Sequence, residues 1–361
     1  MRKRNRKIML GLGLAASISA LRRLRRHRFD LVDKTVFITG GSRGLGLVLA
    51  RDFAARGAKV AIAARDQEAL DRATADVRTH GRQVLAIETD ITMREEADAA
   101  LDQIRQHFGP VDILVNNAGT ICVGPLEVMT IDDFRDSLNT HFWGPYFATM
   151  AVLGEMRSRR HGRIVNISSI GGKISVPHLL PYCVGKFALT GFSQGLRSAL
   201  LKDNVYVTTV CPGLMRTGSP RNALFKGDNE AEYAWFSISD SMPVLSMSAE
   251  RAARRIIRAC VRGEAEVVLS FPAKAAVKFN AMFPGLTAEI LALGNGMLPS
   301  SHGSEINSAV ESEAINHDNC PSPFWVGIPV FRYSHAGDLE ESDYRTVAVR
   351  IVQPTCISGL E

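Results

Sequence analysis

The chain has little cysteine and no paired cysteine motif. Its six cysteines, at 122, 183, 211, 260, 320 and 356, include no Cys-x-x-Cys. This excludes a zinc ribbon or a thioredoxin-like centre, and the six read as reduced, mostly buried thiols. No His-x-x-x-His or clustered carboxylates suggest a metal, so none is expected. Basic charge is scarce outside the first thirty residues. Residues 1–30 hold ten Lys or Arg against one acid, while the whole chain is only +6, leaving the rest near −3. The basic leader therefore gives no reason to expect nucleic-acid binding by the body of the protein. Lysine is absent after residue 298. No apolar run is long. Residues 8–21 are the best candidate, and as a helix they span about 21 Å, short of the ~30 Å hydrocarbon core.

What is present suits a soluble enzyme-sized body. Hydrophobic content is 46% and charged content 22%, both ordinary for a globular protein. The length fits one large domain of roughly 250 residues with extensions, or two small ones. The leader, 1–30, brackets its apolar run with basic clusters. The preferred reading is contact with a membrane surface, arginines on anionic headgroups, on the cytoplasmic side. A disordered basic leader and a cleaved signal remain open.

From residue 31 to 272 short apolar strands alternate with helical stretches. Strands are expected at 36–39, 59–64, 83–88, 113–116, 163–167, 205–211 and 266–269. Helices are expected at 67–79, 94–108, 131–155, 182–202 and 249–262. Such alternation implies an α/β fold with a doubly wound parallel sheet of about seven strands and helices on both faces. Residues 218–248 break the pattern, mixing Tyr233, Trp235, Phe236, Met242 and Met247 with polar residues. They read as a lid over the site or as a flexible insertion. Residues 273–299 form an apolar, helix-prone extension. Residues 300–361 read as a tail, disordered over 300–320, with strand-like stretches at 324–328 and 346–352.

The organising stretch is the strand at 36–39 followed by Thr39-Gly40-Gly41-Ser42-Arg43-Gly44-Leu45-Gly46 and a helix-forming run. Strand, glycine turn and helix start together cradle a dinucleotide pyrophosphate. The second strand ends in Ala64-Arg65-Asp66. Ala64 stands where an NAD site usually carries the acid that binds the ribose 2′-OH. Arg65 and Arg43 suit a 2′-phosphate instead, so NADP(H) is expected; the alternative is that Asp66 turns inward. Asp90, beside Ile91, closes the third strand and can accept from the adenine amino group. Asn116-Asn117-Ala118-Gly119 closes the fourth. Its asparagines can tie neighbouring strands, and its small residues admit the cofactor ribose.

The strongest constellation is Ser169 at the end of the fifth strand and Tyr182-x-x-x-Lys186 thirteen residues later. Residues four apart share one helical face. A tyrosine is a poor base near its ordinary pKa of about 10, and a neighbouring ammonium lowers it. Tyr182 can then exchange a proton with an alcohol or carbonyl oxygen while hydride moves.

Together these residues resemble the short-chain dehydrogenase/reductase family, classical type, over roughly 33–269. The matching motifs are Thr39-Gly40-x-x-x-Gly44-x-Gly46, Asp90, Asn116-Asn117-Ala118-Gly119, Ser169, Tyr182-x-x-x-Lys186 and Pro212-Gly213-x-x-x-Thr217. The resemblance implies NAD(P)(H)-dependent alcohol–carbonyl chemistry. It implies Tyr182 as acid/base, Ser169 orienting substrate, and Lys186 holding ribose and tuning Tyr182. It places Pro212, Gly213 and Thr217 at the nicotinamide carboxamide. It also implies frequent homo-oligomers. The chain departs from the family at one position. Aligning Gly144-Pro145-Tyr146-Phe147 with the family pattern puts His141 where an active-site Asn is usual, with Asn139 as the alternative. A histidine there would make the proton path titrate near neutrality. The leading expectation is an NADP(H)-dependent oxidoreductase acting on a bulky apolar alcohol or carbonyl. The competing one is an NADP(H)-binding sensor or scaffold without turnover.

Overall fold

The computed structural model describes residues 29–81, 83–241, 246–299 and 310–311. The leader up to residue 28, and the stretches at 324–328 and 346–352, lie outside the described residues. The strands of the main sheet are β1 (Thr35–Thr39), β2 (Lys59–Ala64), β3 (Val84–Glu88), β4 (Ile113–Asn116), β5 (Gly162–Ile167), β6 (Val205–Cys211) and β7 (Glu266–Val268). They form one sheet in the order β7-β6-β5-β4-β1-β2-β3. Every pairing in it is parallel. The helices are α1 (Gly44–Ala54), α2 (Gln67–Arg78), α3 (Arg94–Phe108), α4 (Ile131–Leu138), α5 (Gly144–Ser158), α6 (Leu180–Leu200), α7 (Asn229–Ser241), α8 (Ala249–Arg262), α9 (Phe271–Met282) and α10 (Pro284–Asn295).

A strand presents alternate residues to opposite faces, and β1 shows the consequence. Val36 and Ile38 join one core with Leu49 and Phe53 of α1, Leu70 of α2 and Ile256 of α8. Phe37 joins the other core, with Leu101 and Ile104 of α3 and Val152 and Met156 of α5. Both faces of β1 are fully covered, which is why its sequence is an unbroken apolar run rather than an alternating one. Each such buried side chain contributes about 1.5–3 kcal/mol. Phe29 and Leu31 also enter the first core, so the packed body starts at the edge of the basic leader.

Strand order reverses between β1 and β4. In an open parallel sheet, ligands bind at that switch point, outside the carboxyl ends of the strands. The loops after β1, β4, β5 and β6 carry the glycine turn, Asn117–Gly119, Ser168–Ser169 and Pro212–Thr217. The topology thus gathers residues from across the chain on one edge.

Two expectations need correction. The single helix expected at 131–155 is two helices joined by a π turn, Asn139–Trp143; Pro145 lies at the start of α5, where its missing N–H costs nothing. The apolar extension is two helices divided at Phe283-Pro284, where Pro284-Gly285 interrupts the apolar run in the sequence. The stretch at 218–248 is not without order, because α7 occupies much of it. Phe225 and Phe236 there form a small third core with Val123 and Ala223. Leu224–Phe225 also pairs in parallel with Cys122–Val123.

Candidate functional site

The glycine turn is shaped for close approach. Gly40 (φ +65°) and Gly44 (φ +53°) occupy the left-handed region, which glycine enters freely. A Cβ on Gly46 would lie 2.1 Å from the Gly40 carbonyl oxygen and 2.6 Å from Asn117 Nδ2. No side chain caps α1, and its first turn contains no acid, so its N–H groups are offered to an anion. Leu45 points away from the turn into the core. Asn117 Nδ2 donates to the Thr39 and Gly40 carbonyls at 3.1 and 2.9 Å. Thr39 Oγ1 accepts from the N–H groups of Asn117 and Ala118, both at 3.1 Å. These bonds lock the loop after β4 onto the glycine turn. A Cβ on Gly44 would lie 3.5 Å from the Thr217 carbonyl oxygen, so the loop after β6 closes the other side. The arrangement fits a dinucleotide pyrophosphate.

Asn116 ties strands, as its position suggested. Its Nδ2 donates to Asn166 Oδ1 of β5 at 2.8 Å and to Thr149 Oγ1 of α5 at 3.3 Å. Asn166 donates in turn to Ser193 Oγ at 3.0 Å, and Thr209 Oγ1 of β6 to the same oxygen at 2.7 Å. The ladder's contributions from Thr149, Ser193 and Thr209 had no signal in the sequence, because each is an ordinary hydroxyl far along the chain.

At the adenosine side, one oxygen of Asp66 is engaged locally. It caps α2, accepting from Ala69 N–H at 3.0 Å. Arg65 is largely exposed and lies 4.0 Å from Asp90 Oδ2. Asp90 Oδ1 accepts from the N–H and hydroxyl of Thr92 at 2.9 and 2.8 Å, while Oδ2 is the oxygen nearest Arg65. Ile91 is buried against Gly144. Ser42, Arg43 and Asp66, with Arg72 and Arg221, line a cavity of about 620 Å3. Arg72 and Arg221 were not singled out in the sequence, since neither belongs to a motif.

Ser169, Tyr182 and Lys186 converge. The Ser169 hydroxyl accepts from Gly171 N–H at 3.0 Å and lies close enough to the Tyr182 phenol to favour its ionised form. Ile170 N–H donates to the Pro212 carbonyl at 2.7 Å, joining this loop to the one that carries Gly213. Lys186 is buried, donates to the Ile167 carbonyl at 2.9 Å, and has its Nζ 5.6 Å from the Tyr182 ring centre. Burial lowers the Lys186 pKa to about 7, with Cys211 acting the other way. The lowering expected for Tyr182 is not what the protein's own residues produce. Burial pushes it up to about 12, against the Ser169 hydrogen bond. Desolvation of a phenolate here outweighs the help from the Ser169 hydroxyl.

His141 belongs to this cluster and Asn139 does not. The π turn buries His141 and leaves Asn139 exposed. His141 Nε2 lies 2.8 Å from the Thr120 carbonyl oxygen, an acceptor only, so Nε2 carries the proton. Buried Nδ1 has no partner among the described residues. The His141 ring meets the Tyr182 ring edge-on at 5.3 Å. A Cβ on Gly119 would lie 3.0 Å from His141 and 3.7 Å from Lys186 Nζ, so Gly119 keeps the space between them open. Burial, then the Lys186 charge, hold the His141 pKa well below its ordinary value. The expected titration of His141 near neutrality is therefore corrected; Lys186 is the group that titrates there.

Cys122, Cys183, Cys211 and Cys260 are free. Burial pushes the thiols of Cys122, Cys211 and Cys260 up to about 12, so they are inert. No metal-binding group stands among the described residues. No helix among them is long and apolar enough to cross a membrane.

The short chain dehydrogenase family model matches residues 34–224. A dehydrogenase/reductase SDR family protein 7-like from Anopheles gambiae is 34% identical over 266 residues, covering 72% of this chain and 81% of that protein. A short-chain dehydrogenase structure from Streptomyces avermitilis is 30% identical, with a TM-score of 0.63, covering 73% of this chain and 96% of that one. L-Sorbose reductase from Gluconobacter frateurii, complexed with NADPH and L-sorbose, is 26% identical with a TM-score of 0.59, covering 67% and 97%. Strand order, the glycine turn and these likenesses agree: the chain belongs to the short-chain dehydrogenase/reductase family and is an NAD(P)-dependent oxidoreductase.

Proposed function

We propose that the protein interconverts a bulky apolar secondary alcohol and its ketone, or an alcohol and its aldehyde, with NADP(H). The observation that carries this is the convergence of Ser169, Tyr182, Lys186 and His141 at the carboxyl edge of the sheet. When bound, the cofactor supplies or accepts the hydride. Every other duty falls to the chain. Glycines 40, 44 and 46 and the start of α1 bind the pyrophosphate. Asp90, Ile91 and residues 117–119 border the adenosine and ribose; Pro212, Gly213 and Thr217 border the far end. Ser169 Oγ holds the substrate oxygen, and the Tyr182 phenol gives that oxygen a proton during reduction. Lys186 holds ribose and resupplies charge, and His141 Nδ1 accepts along the proton path. Aromatic residues of α7 and apolar residues of α9 favour a bulky apolar substrate. Turnover of a panel of aliphatic, aromatic and steroid ketones and aldehydes with NADPH tests the reading; binding of NADPH without turnover of any would favour a sensor.

Cofactor choice follows from Arg43 and Arg65. Each can add a charge-assisted bond to a 2′-phosphate, on the order of 1.5–3 kcal/mol, with Arg65 at the low end because it is exposed. Replacing either by Ala is expected to weaken NADPH about tenfold or more and NADH little. Dissociation constants by fluorescence check this, and equal wild-type affinity for both cofactors removes it.

The leader, outside the described residues up to residue 28, supports a location at the cytoplasmic face of a membrane. Its basic clusters suit anionic headgroups and its apolar run suits the interface. Deleting residues 1–28 is expected to move the chain from membrane to soluble fractions with its circular dichroism unchanged. A full-length chain that already fractionates as soluble contradicts the proposal.

A further inference from the structure

Helix α7 is fastened by a carboxylate that the chemistry above does not use. Glu232 is completely buried. Its Oε1 lies 2.6 Å from His178 Nδ1, and its Oε2 accepts from Trp235 Nε1 at 2.6 Å. His178 is buried too. It adopts φ +59°, a left-handed conformation that non-glycine residues hold only where the surroundings impose it. Its carbonyl accepts from Gly124 N–H at 2.9 Å.

The placement gives this pair its meaning. His178 precedes Tyr182 by four residues, in the loop that leads into α6. Its neighbour Leu179 packs on the small third core, together with Ile121, Tyr233 and Trp235. Ile121 follows Gly119 and Thr120, which border His141 and Lys186. One end of the pair is thus on the helix expected to cover substrate, and the other is on the loop that aims the proton donor. A buried carboxylate is tolerated when its hydrogen bonds are filled, and here both oxygens are engaged.

We propose that Glu232 and His178 are positioning residues, a latch that makes α7 and the Tyr182 loop one mechanical unit. Substrate contacts on α7 are then transmitted to the aim of the Tyr182 hydroxyl. A mere stabiliser of α7 would hold that helix alone. The consequence for catalysis rests on Tyr182 being the proton donor, but the latch itself can be read without turnover.

The test is amide hydrogen exchange on the full chain, without ligand. Glu232→Ala is expected to speed exchange by about tenfold or more in residues 229–237 and also in 178–183, leaving 39–46 unchanged. Glu232→Gln should restore the wild-type pattern, because its carbonyl can accept from Trp235 and its amide can face His178 Nδ1. The double variant Glu232→Ala/His178→Asn should be no faster than Glu232→Ala alone, as coupled residues require. Asn keeps the left-handed backbone but cannot reach Glu232. If Glu232→Ala does not fold, His178→Asn is read over the same two segments. Faster exchange in 229–237 with 178–183 unchanged overturns the latch. NADPH affinity within about twofold of wild type in the variants shows that the cofactor site is untouched, and the rates of Tyr182→Phe judge the proton-donor role separately.

Discussion

Replacing Tyr182 by phenylalanine is expected to lower turnover by about 10⁴-fold or more, the upper range for lost acid–base assistance, while NADPH still binds. The Tyr182 phenol stands beside the Ser169 hydroxyl, which favours its ionised form, and shares a helical face with Lys186. Phenylalanine keeps the ring that packs edge-on against His141 and leaves the Lys186 bond to the Ile167 carbonyl intact. The fold and the ribose contact should survive. Only the proton is lost, and carbonyl reduction then ends in an alkoxide with no donor in a buried site. The direction of pH dependence differs for the two reactions. Tyr182 keeps its proton up to about 12, so reduction has a loaded donor throughout the neutral range. Alcohol oxidation needs the phenolate, and its rate should rise with pH. Single-turnover rates with NADPH, beside NADPH titration by fluorescence, decide the matter. Full activity in Tyr182→Phe would take the proton-donor role away from Tyr182.

Much of this was legible in the sequence for a simple reason. Strands covered on both faces are short unbroken apolar runs, and residues such as Val36, Phe37 and Ile38 announce them whatever lies elsewhere. The glycine turn is legible because backbone geometry at Gly40, Gly44 and Gly46 is set locally. Tyr182 and Lys186 are legible because four residues make one helical turn. What local pattern could not supply was tertiary. The π turn at Asn139–Trp143 decides which of His141 and Asn139 faces inward, and no periodicity forecasts it; Gly144-Pro145 was the only local hint of a break. Glu232 and His178 are 54 residues apart and match no motif. The sign of the Tyr182 shift depends on how deeply the ring is buried, which a spacing does not contain.

Replacing His141 by leucine is expected to slow turnover by roughly 10²–10⁴-fold at most. His141 is 1% exposed. With Nε2 donating to the Thr120 carbonyl at 2.8 Å, Nδ1 is the acceptor it offers beside Lys186, and leucine offers none. Asparagine supplies an amide oxygen of similar reach, so His141→Asn should keep most activity. The pH profile separates a residue that accepts hydrogen bonds from one that titrates. Burial and the Lys186 charge hold His141 well below its ordinary range, so it is neutral wherever the rate is measured near neutrality. Lys186, lowered to about 7, is an ammonium below that pH and loses its proton above it. Because kcat/KM follows groups of the free enzyme, carbonyl reduction should fall as pH rises through about 7. It should do so in wild type and His141→Asn alike, since exchanging one neutral residue for another moves no charge. Rates against pH for wild type, His141→Leu and His141→Asn make the comparison. A limb present in wild type and absent in His141→Asn would mean that His141 itself titrates, and an unchanged rate in His141→Leu would take it out of the proton path.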